Sequence, residues 1–178
     1  MSEYGLRPST EYLKTFFNNK PIICAELGVF KGWNTERMLN NLNIIEMHLI
    51  DVWITPDDLK NRYNYEDFYT NVCQRFEDDN NIKIYREDTV KSANNFKDKY
   101  FDFVYIDADH SYLGCKKDIS AWWPKIKKGG ILCGHDYYCC DGVKKSVDEF
   151  FKNNKDVTYF DAIGMYDNVK YGEWLVIK

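Results

Sequence analysis

The sequence predicts an α/β protein, a doubly wound and mostly parallel sheet of seven strands with an antiparallel hairpin at its C-terminal edge. Three observations carry this expectation. Short apolar runs alternate with stretches of helical spacing along the chain. The runs are apolar at nearly every position, as in strands buried on both faces. The last two have no clear helical stretch between them, so they are expected to pair antiparallel.

In chain order, residues 1–20 form an N-terminal helical extension. The run Pro21–Ala25 is the first strand, ending in Glu26 and a turn bracketed by Gly28 and Gly32. A helix follows from Asn34 to Leu42. Met47–Ile50 is the second strand and ends in Asp51. Asp57 to Asp79, rich in charges and aromatics, reads as helical. Ile82–Tyr85 is the third strand, ending near Asp88, and Phe101–Ile106 is the fourth, ending in Asp107. Ser111 to Ile126 has helical spacing, with Trp122, Trp123 and Pro124 near its end. Gly130–Cys133 is the fifth strand and leads into His135 and Asp136. A helix over Val143–Lys152 precedes the closing strands, Val157–Phe160 and Trp174–Ile177.

The chain has 178 residues, which favours one domain over 1–178, and 44% hydrophobic with 17% aromatic residues is ample for a core and argues against disorder. The net charge of -4 argues against a nucleic-acid binder, which usually presents a basic face. Met1–Thr10 is polar, without the apolar run of a signal peptide, and no stretch reaches the length of a membrane span. The six cysteines form no Cys-x-x-Cys pair, which argues against a zinc cage or redox pair; Cys24 and Cys133 lie in apolar runs and read as core, and Cys139 and Cys140 are adjacent. A reducing cytoplasm and no membrane partner are expected.

Functional residues of such sheets gather beyond the carboxyl ends of the strands. Glu26, Asp51, Asp88, Asp107 and the pair His135-Asp136 all stand at such ends. One acid after a strand is ordinary turn chemistry; acids after four strands and His-Asp after a fifth are not accounted for by turns alone. Gly28 and Gly32 permit positive φ and close approach of the backbone to a ligand. The turn lacks the G-x-G-x-x-G dinucleotide pattern and the Gly-Lys-Ser/Thr ending of a phosphate loop. Glu26 would repel a pyrophosphate and suits a cationic amino group. Taken alone, it is equally well a solvated loop acid. Asp51, about twenty residues past the glycine turn, has the spacing of an acid that accepts from ribose hydroxyls. Asp88 and Thr89 are placed to reach an adenine amine.

The run Glu26-Leu27-Gly28-Val29-Phe30-Lys31-Gly32 resembles the E/D-x-G-x-x-x-G motif of Rossmann-like class I S-adenosylmethionine-dependent methyltransferases. The likeness extends from about Ile22 to Lys178. It includes the block Phe101–Tyr112, with Asp107-Ala108-Asp109-His110, and the block Gly129–Tyr137, with Gly134-His135-Asp136. These two blocks resemble the small metal-dependent O-methyltransferases, among them catechol, caffeoyl-CoA and macrolide-pathway sugar O-methyltransferases. The resemblance implies S-adenosylmethionine at Glu26, Gly28, Phe30, Gly32, Asp51, Trp53, Asp88, Thr89 and Asp107. It implies a divalent metal, Mg²⁺ or Mn²⁺, at Asp107, His135 and Asp136, with the imidazole of His135 favouring a softer ion than Mg²⁺ or acting outside the ligand set. It implies Asp107 and His110 as the catalytic pair, His110 as general base, since an ordinary histidine pKa suits that work. His110 as a helix cap and Asp109 as N-terminal helix charge are the plainer readings. Residues 54–80 stand where such enzymes carry an acceptor lid, and Tyr112, Tyr137 and Tyr138 either line an acceptor pocket or pack.

The expected reaction is methyl transfer to a hydroxyl of a small molecule or a sugar or glycan. The other readings are a metal-independent methyltransferase acting on nitrogen or carboxylate, a non-catalytic methyltransferase-like binding module, and, more weakly, an NAD-dependent oxidoreductase. The N-terminus is short for this branch, so the acceptor pocket is expected to be open, completed by a second subunit in a homodimer, or built for a large glycan.

Overall fold

A computed structural model of the chain describes residues 7–55, 60–153, 156–161 and 170–178. Its seven-stranded sheet has the order β3-β2-β1-β4-β5-β7-β6. The strands are β1 (Ile22–Leu27), β2 (Ile44–Asp51), β3 (Ile82–Arg86), β4 (Phe101–Ile106), β5 (Ile126–Gly134), β6 (Val157–Phe160) and β7 (Glu173–Ile177). β1 to β5 pair parallel, and β7 runs antiparallel to both β5 and β6. This is the expected sheet, with one refinement: β7 inserts between β5 and β6.

Among the described residues six α-helices cover it: α1 (Pro8–Phe17), α2 (Trp33–Asn41), α3 (Tyr65–Arg75), the single turn α4 (Thr89–Ser92), α5 (Tyr112–Trp122) and α6 (Asp141–Phe150). Side chains alternate across each strand, so the sheet builds two cores. On one face Ala25, Val104 and Leu132 meet Ile119 and Trp122 of α5 and Val143 and Val147 of α6. On the other Cys24, Phe103 and Ile131 meet Leu13 and Phe17 of α1, Met38 of α2 and Val72 of α3. Cys24 and Cys133 are fully buried, as expected of core thiols.

Local chemistry sets the helix ends. Pro8 opens α1, where its missing N–H costs nothing. Asn64, Asp88 and Ser111 accept backbone N–H groups at the starts of α3, α4 and α5. The helix expected over Ser111–Ile126 stops at Trp122, because Pro124 cannot continue it, and Ile126 already belongs to β5. The helix expected over Asp57–Asp79 is confined to Tyr65–Arg75 among the described residues; residues 56–59 lie outside them, as do residues 1–6 of the expected N-terminal extension. Among the described residues no helix is long and apolar enough to cross a membrane.

Candidate active site

In a parallel sheet the carboxyl ends of the strands share one edge, and a crevice opens where the strand order reverses. Here that point lies between β1 and β4. A cavity of about 700 Å³ occupies it, lined by Glu26, Gly28–Lys31, Asp51, Asp88, Thr89 and Asp107–His110. That volume is in the range of small-molecule sites.

The glycine turn is held from below and from the side. Gly28 N–H donates to the Ile50 carbonyl at 2.9 Å, and Gly28 takes φ +82°. A Cβ there would stand 2.0 Å from the Asp107 carbonyl oxygen, so only glycine lets β1 and β4 approach this closely. Asp51 fixes the rest of the turn. Its Oδ2 accepts the N–H groups of Val29 and Phe30, both at 2.9 Å, and its Oδ1 accepts that of Trp53 at 2.7 Å. Trp53 Nε1 donates to the Phe30 carbonyl at 2.9 Å, which closes the brace. Asp51 lines the cavity and therefore both locks the loop and faces a ligand. Gly32 and Trp53 do not line the cavity: Gly32 starts α2 at φ +75°, and the Trp53 side chain is buried behind the loop.

Glu26 is almost wholly buried at the cavity floor. Asn34 Nδ2 donates to its Oε1 at 2.9 Å and Thr35 Oγ1 to its Oε2 at 2.5 Å. Burial outweighs these bonds and lifts its pKa to about 7. A carboxyl group held there is a receptor for a cation, which would restore its charged form. Thr89 and Asp88 line the far wall. Asp88 caps α4 by accepting Lys91 N–H at 2.8 Å, and Thr89 donates its hydroxyl to buried Asp118 at 2.5 Å.

At the other end Asp107, His110, His135 and Asp136 converge. His110 Nε2 lies 3.3 Å from Asp107 Oδ1 and 3.1 Å from Asp136 Oδ2. His135 Nδ1 lies 2.9 Å from Asp136 Oδ1 and 3.9 Å from Asp107 Oδ2. The hydrogen bond to Asp107 works against burial and raises the His110 pKa above the ordinary histidine value. The Asp107 carboxyl, despite its burial, is held well below the usual range by His135, His110 and Arg7. Ring and carboxylates thus act as one unit, and the basicity of His110 depends on what else the carboxylates bind. Ser111, not His110, caps α5 by accepting Gly114 N–H. Asp109 accepts Ser111 N–H at 2.8 Å just ahead of α5 and also lines the cavity.

Donor atoms of Asp107, His135 and Asp136 all lie within 4.8 Å of one another, close enough to share one cation. A set of one imidazole and two carboxylates fits Mn²⁺, Fe²⁺ or Zn²⁺ better than Mg²⁺. Tyr112, Tyr137 and Tyr138 do not line the cavity; Tyr112 and Tyr137 donate instead to Glu149 and Asp148 on α6. From the segment after β2, Ile54 and Tyr65 do line it. Phe30, Trp33, Tyr63 and Phe68 surround the Lys31 ammonium at 4.6–5.4 Å from the ring centres.

Arg7 is the lining residue with no local signal in the sequence. Its guanidinium stands 3.5 Å from Asp107 Oδ2 and bonds the Tyr105 hydroxyl. Tyr105 in turn donates to buried Glu173 at 2.8 Å. The partners lie about a hundred or more positions away along the chain, so only the fold brings them together.

Residues 25–137 match the family described as "Methyltransferase domain". No curated protein matches in sequence. Among solved structures, an rRNA methylase from Streptococcus thermophilus is 12% identical, with 100% of this chain and 98% of that one covered at a TM-score of 0.68. An O-methyltransferase from Bacillus cereus in complex with SAH is 15% identical, covering 99% and 84% at 0.63. A spermidine synthase from Thermotoga maritima is 15% identical at 0.66, and this chain, 94% covered, spans only 57% of its length. These likenesses are of fold.

Proposed function

We propose that this chain, which belongs to the methyltransferase-domain family, is an S-adenosylmethionine-dependent enzyme that methylates a hydroxyl group of a small molecule, sugar or glycan with the help of a divalent cation. The observation that carries this reading is the meeting of Asp107, His110, His135 and Asp136 at the end of the cofactor-sized cavity. Bound S-adenosylmethionine supplies the electrophilic methyl group, and a cation lowers the pKa of the acceptor hydroxyl. Everything else falls to the chain. Glu26 receives the ammonium of the methionine moiety and Arg7 its carboxylate. Asp51 accepts from the ribose, and Asp88 with Thr89 faces the base. Gly28 lets the backbone lie against the ligand. Asp107, His135 and Asp136 hold the cation, and His110 takes the acceptor proton on the ring nitrogen that does not donate to the carboxylates.

A specific observation favours a second reading. Arg7 already sets a positive charge 3.5 Å from Asp107, which a metal-independent enzyme acting on nitrogen or carboxylate would use in place of a metal.

Calorimetric titration with S-adenosylmethionine should show binding, and its absence at millimolar cofactor would remove the premise. Turnover of hydroxylated acceptors should vanish in EDTA and return with Mn²⁺. Undiminished activity in EDTA decides for the second reading. His110→Ala should lower kcat by roughly 10²–10⁴-fold, the usual share of a general base, with cofactor affinity nearly unchanged.

A further inference from the structure

Asp136 has two oxygens, and they face different partners. Oδ1 faces His135 Nδ1 at 2.9 Å, within the donor set already described. Oδ2 faces His110 Nε2 at 3.1 Å. On that second side stands a thiol. Donor atoms of His110, Asp136 and Cys140 also lie within 4.8 Å of one another.

The fold builds this second group deliberately close. Cys140 N–H donates to the Asp136 carbonyl at 3.1 Å, closing a turn that folds the thiol back over the carboxylate. Asp136 takes φ +60°, the left-handed conformation that aspartate tolerates better than most non-glycine residues. Cys140 occupies the position before α6, yet its side chain makes no capping bond to the helix. Gly142, in the first turn of α6, brings that turn against the His110 loop: a Cβ there would lie 2.4 Å from the His110 carbonyl oxygen. His110 and Cys140 are thus held together from two separate loops. The neighbouring Cys139 thiol donates to the other carboxylate oxygen, Asp136 Oδ1, at 3.1 Å, and its sulfur lies 3.6 Å from that of Cys140.

One imidazole nitrogen, one carboxylate oxygen and one thiolate make a donor set for zinc-class ions and a poor one for Mg²⁺. We propose that His110, Asp136 and Cys140 form a second cation site, specific for thiophilic divalent ions such as Zn²⁺, whose occupation blocks methyl transfer by engaging His110. Binding displaces the thiol proton to solvent, and the sulfur then bonds the ion. The sharing of Asp136 also sets this ion against a cation on the Asp107 side. The site itself rests on geometry alone; its inhibitory effect rests on the reading of His110 as the base.

Cobalt(II) is the probe, added to the reduced full chain, because a thiolate ligand gives it an intense charge-transfer band in the near ultraviolet. The band should appear, be displaced by zinc, persist in Cys139→Ser and His135→Ala, and be lost in Cys140→Ser. Zinc affinity in Cys140→Ser should fall on the order of tenfold or more. No band in the wild type, or a band that survives Cys140→Ser, overturns the site. In the methyl-transfer assay, zinc should inhibit the wild type and spare Cys140→Ser. If the band behaves as expected but zinc does not inhibit, the site stands and the role of His110 as base falls.

Discussion

Glu26 works from a position that costs the free protein stability. It is buried on the cavity floor with its pKa lifted to about 7. The unfolded chain ionises this group near its ordinary value, so stability is intact below that value and is lost as pH climbs toward 7. Glu26→Gln removes this cost and keeps the shape, provided its oxygen stays toward Asn34 Nδ2 and its amide turns to Thr35, whose hydroxyl can accept as well as donate. Above pH ~7 the variant should unfold later than the wild type, by up to about 3 kcal/mol if the whole shift is recovered. It should also bind S-adenosylmethionine far more weakly, because a neutral amide gives the ammonium no counter-charge. A thermal melt paired with calorimetry checks both, and a variant that binds normally would remove Glu26 from the site. Gly28→Ala tests the other half of the motif. Its Cβ would meet the Asp107 carbonyl oxygen at 2.0 Å with φ at +82°, so the variant should lose cofactor binding and melt well below the wild type. Both residues were legible in the sequence, because a strand end fixes where an acid or a glycine must stand. The locking role of Asp51 was not, since it depends on backbone N–H groups that carry no residue identity. Trp53 stands in the neighbourhood its place after β2 implies, but its ring braces the loop from behind rather than lining the cavity.

Among the elements, α1 has the least obvious purpose and a clear mechanical one. Ser9 N–H and hydroxyl donate to the two oxygens of buried Glu173 on β7, at 2.9 and 2.7 Å. A carboxylate at a helix N-terminus is favoured by the exposed amide groups and the helix dipole. The clamp fixes the start of α1, and with it Arg7, the residue just before the helix, against Tyr105 and Asp107. Glu173→Gln keeps the volume but turns an amide donor toward donors already in place. With each unsatisfied buried group costing about 1–3 kcal/mol, the melting temperature should fall by roughly 5 °C. Cofactor affinity should drop too, through the loosened Arg7, and Arg7→Ala alone should reproduce that drop with a smaller loss of stability. If Glu173→Gln leaves cofactor affinity intact, α1 does not position Arg7 for the ligand. The strands were readable because apolar runs have only one place to go in a sheet covered on both faces. The long helix expected over Asp57–Asp79 was not: its charges and aromatics serve tertiary contacts around Lys31 as much as helical spacing, and the described helix spans only Tyr65–Arg75.

At the scale of the molecule, acids set apart in the fold carry opposing shifts that shape the response to pH: Glu26 at the carboxyl end of β1, Asp118 in α5 and Glu46 near the start of β2. Glu26 and Asp118 are both raised to about 7, chiefly by burial. Each therefore contributes a loss of stability as pH rises from the ordinary carboxylate range toward 7. His110, raised by Asp107, adds a further loss at higher pH, as pH climbs from its ordinary value through the raised one, since the folded state favours its charged form. Glu46 is held down at about 2 by the Tyr100 hydroxyl, with help from His48 and Lys83. Its contribution is present above the ordinary value and disappears as pH falls toward 2. His48, lowered by burial, also weakens the acid side. The free protein should accordingly melt highest on the acid side of neutrality, near pH ~5, and less well at pH ~8. The bound cofactor reverses the sign for one of these groups. An ammonium beside Glu26 stabilises the ionised carboxylate that the free protein resists, so the stabilisation by saturating S-adenosylmethionine should grow between pH ~5 and pH ~8. In Glu26→Gln the same titration should be flat, because no proton is left to release. Differential scanning fluorimetry across that range, with and without cofactor, measures both curves. A wild-type shift that does not change with pH would place the ammonium somewhere other than Glu26.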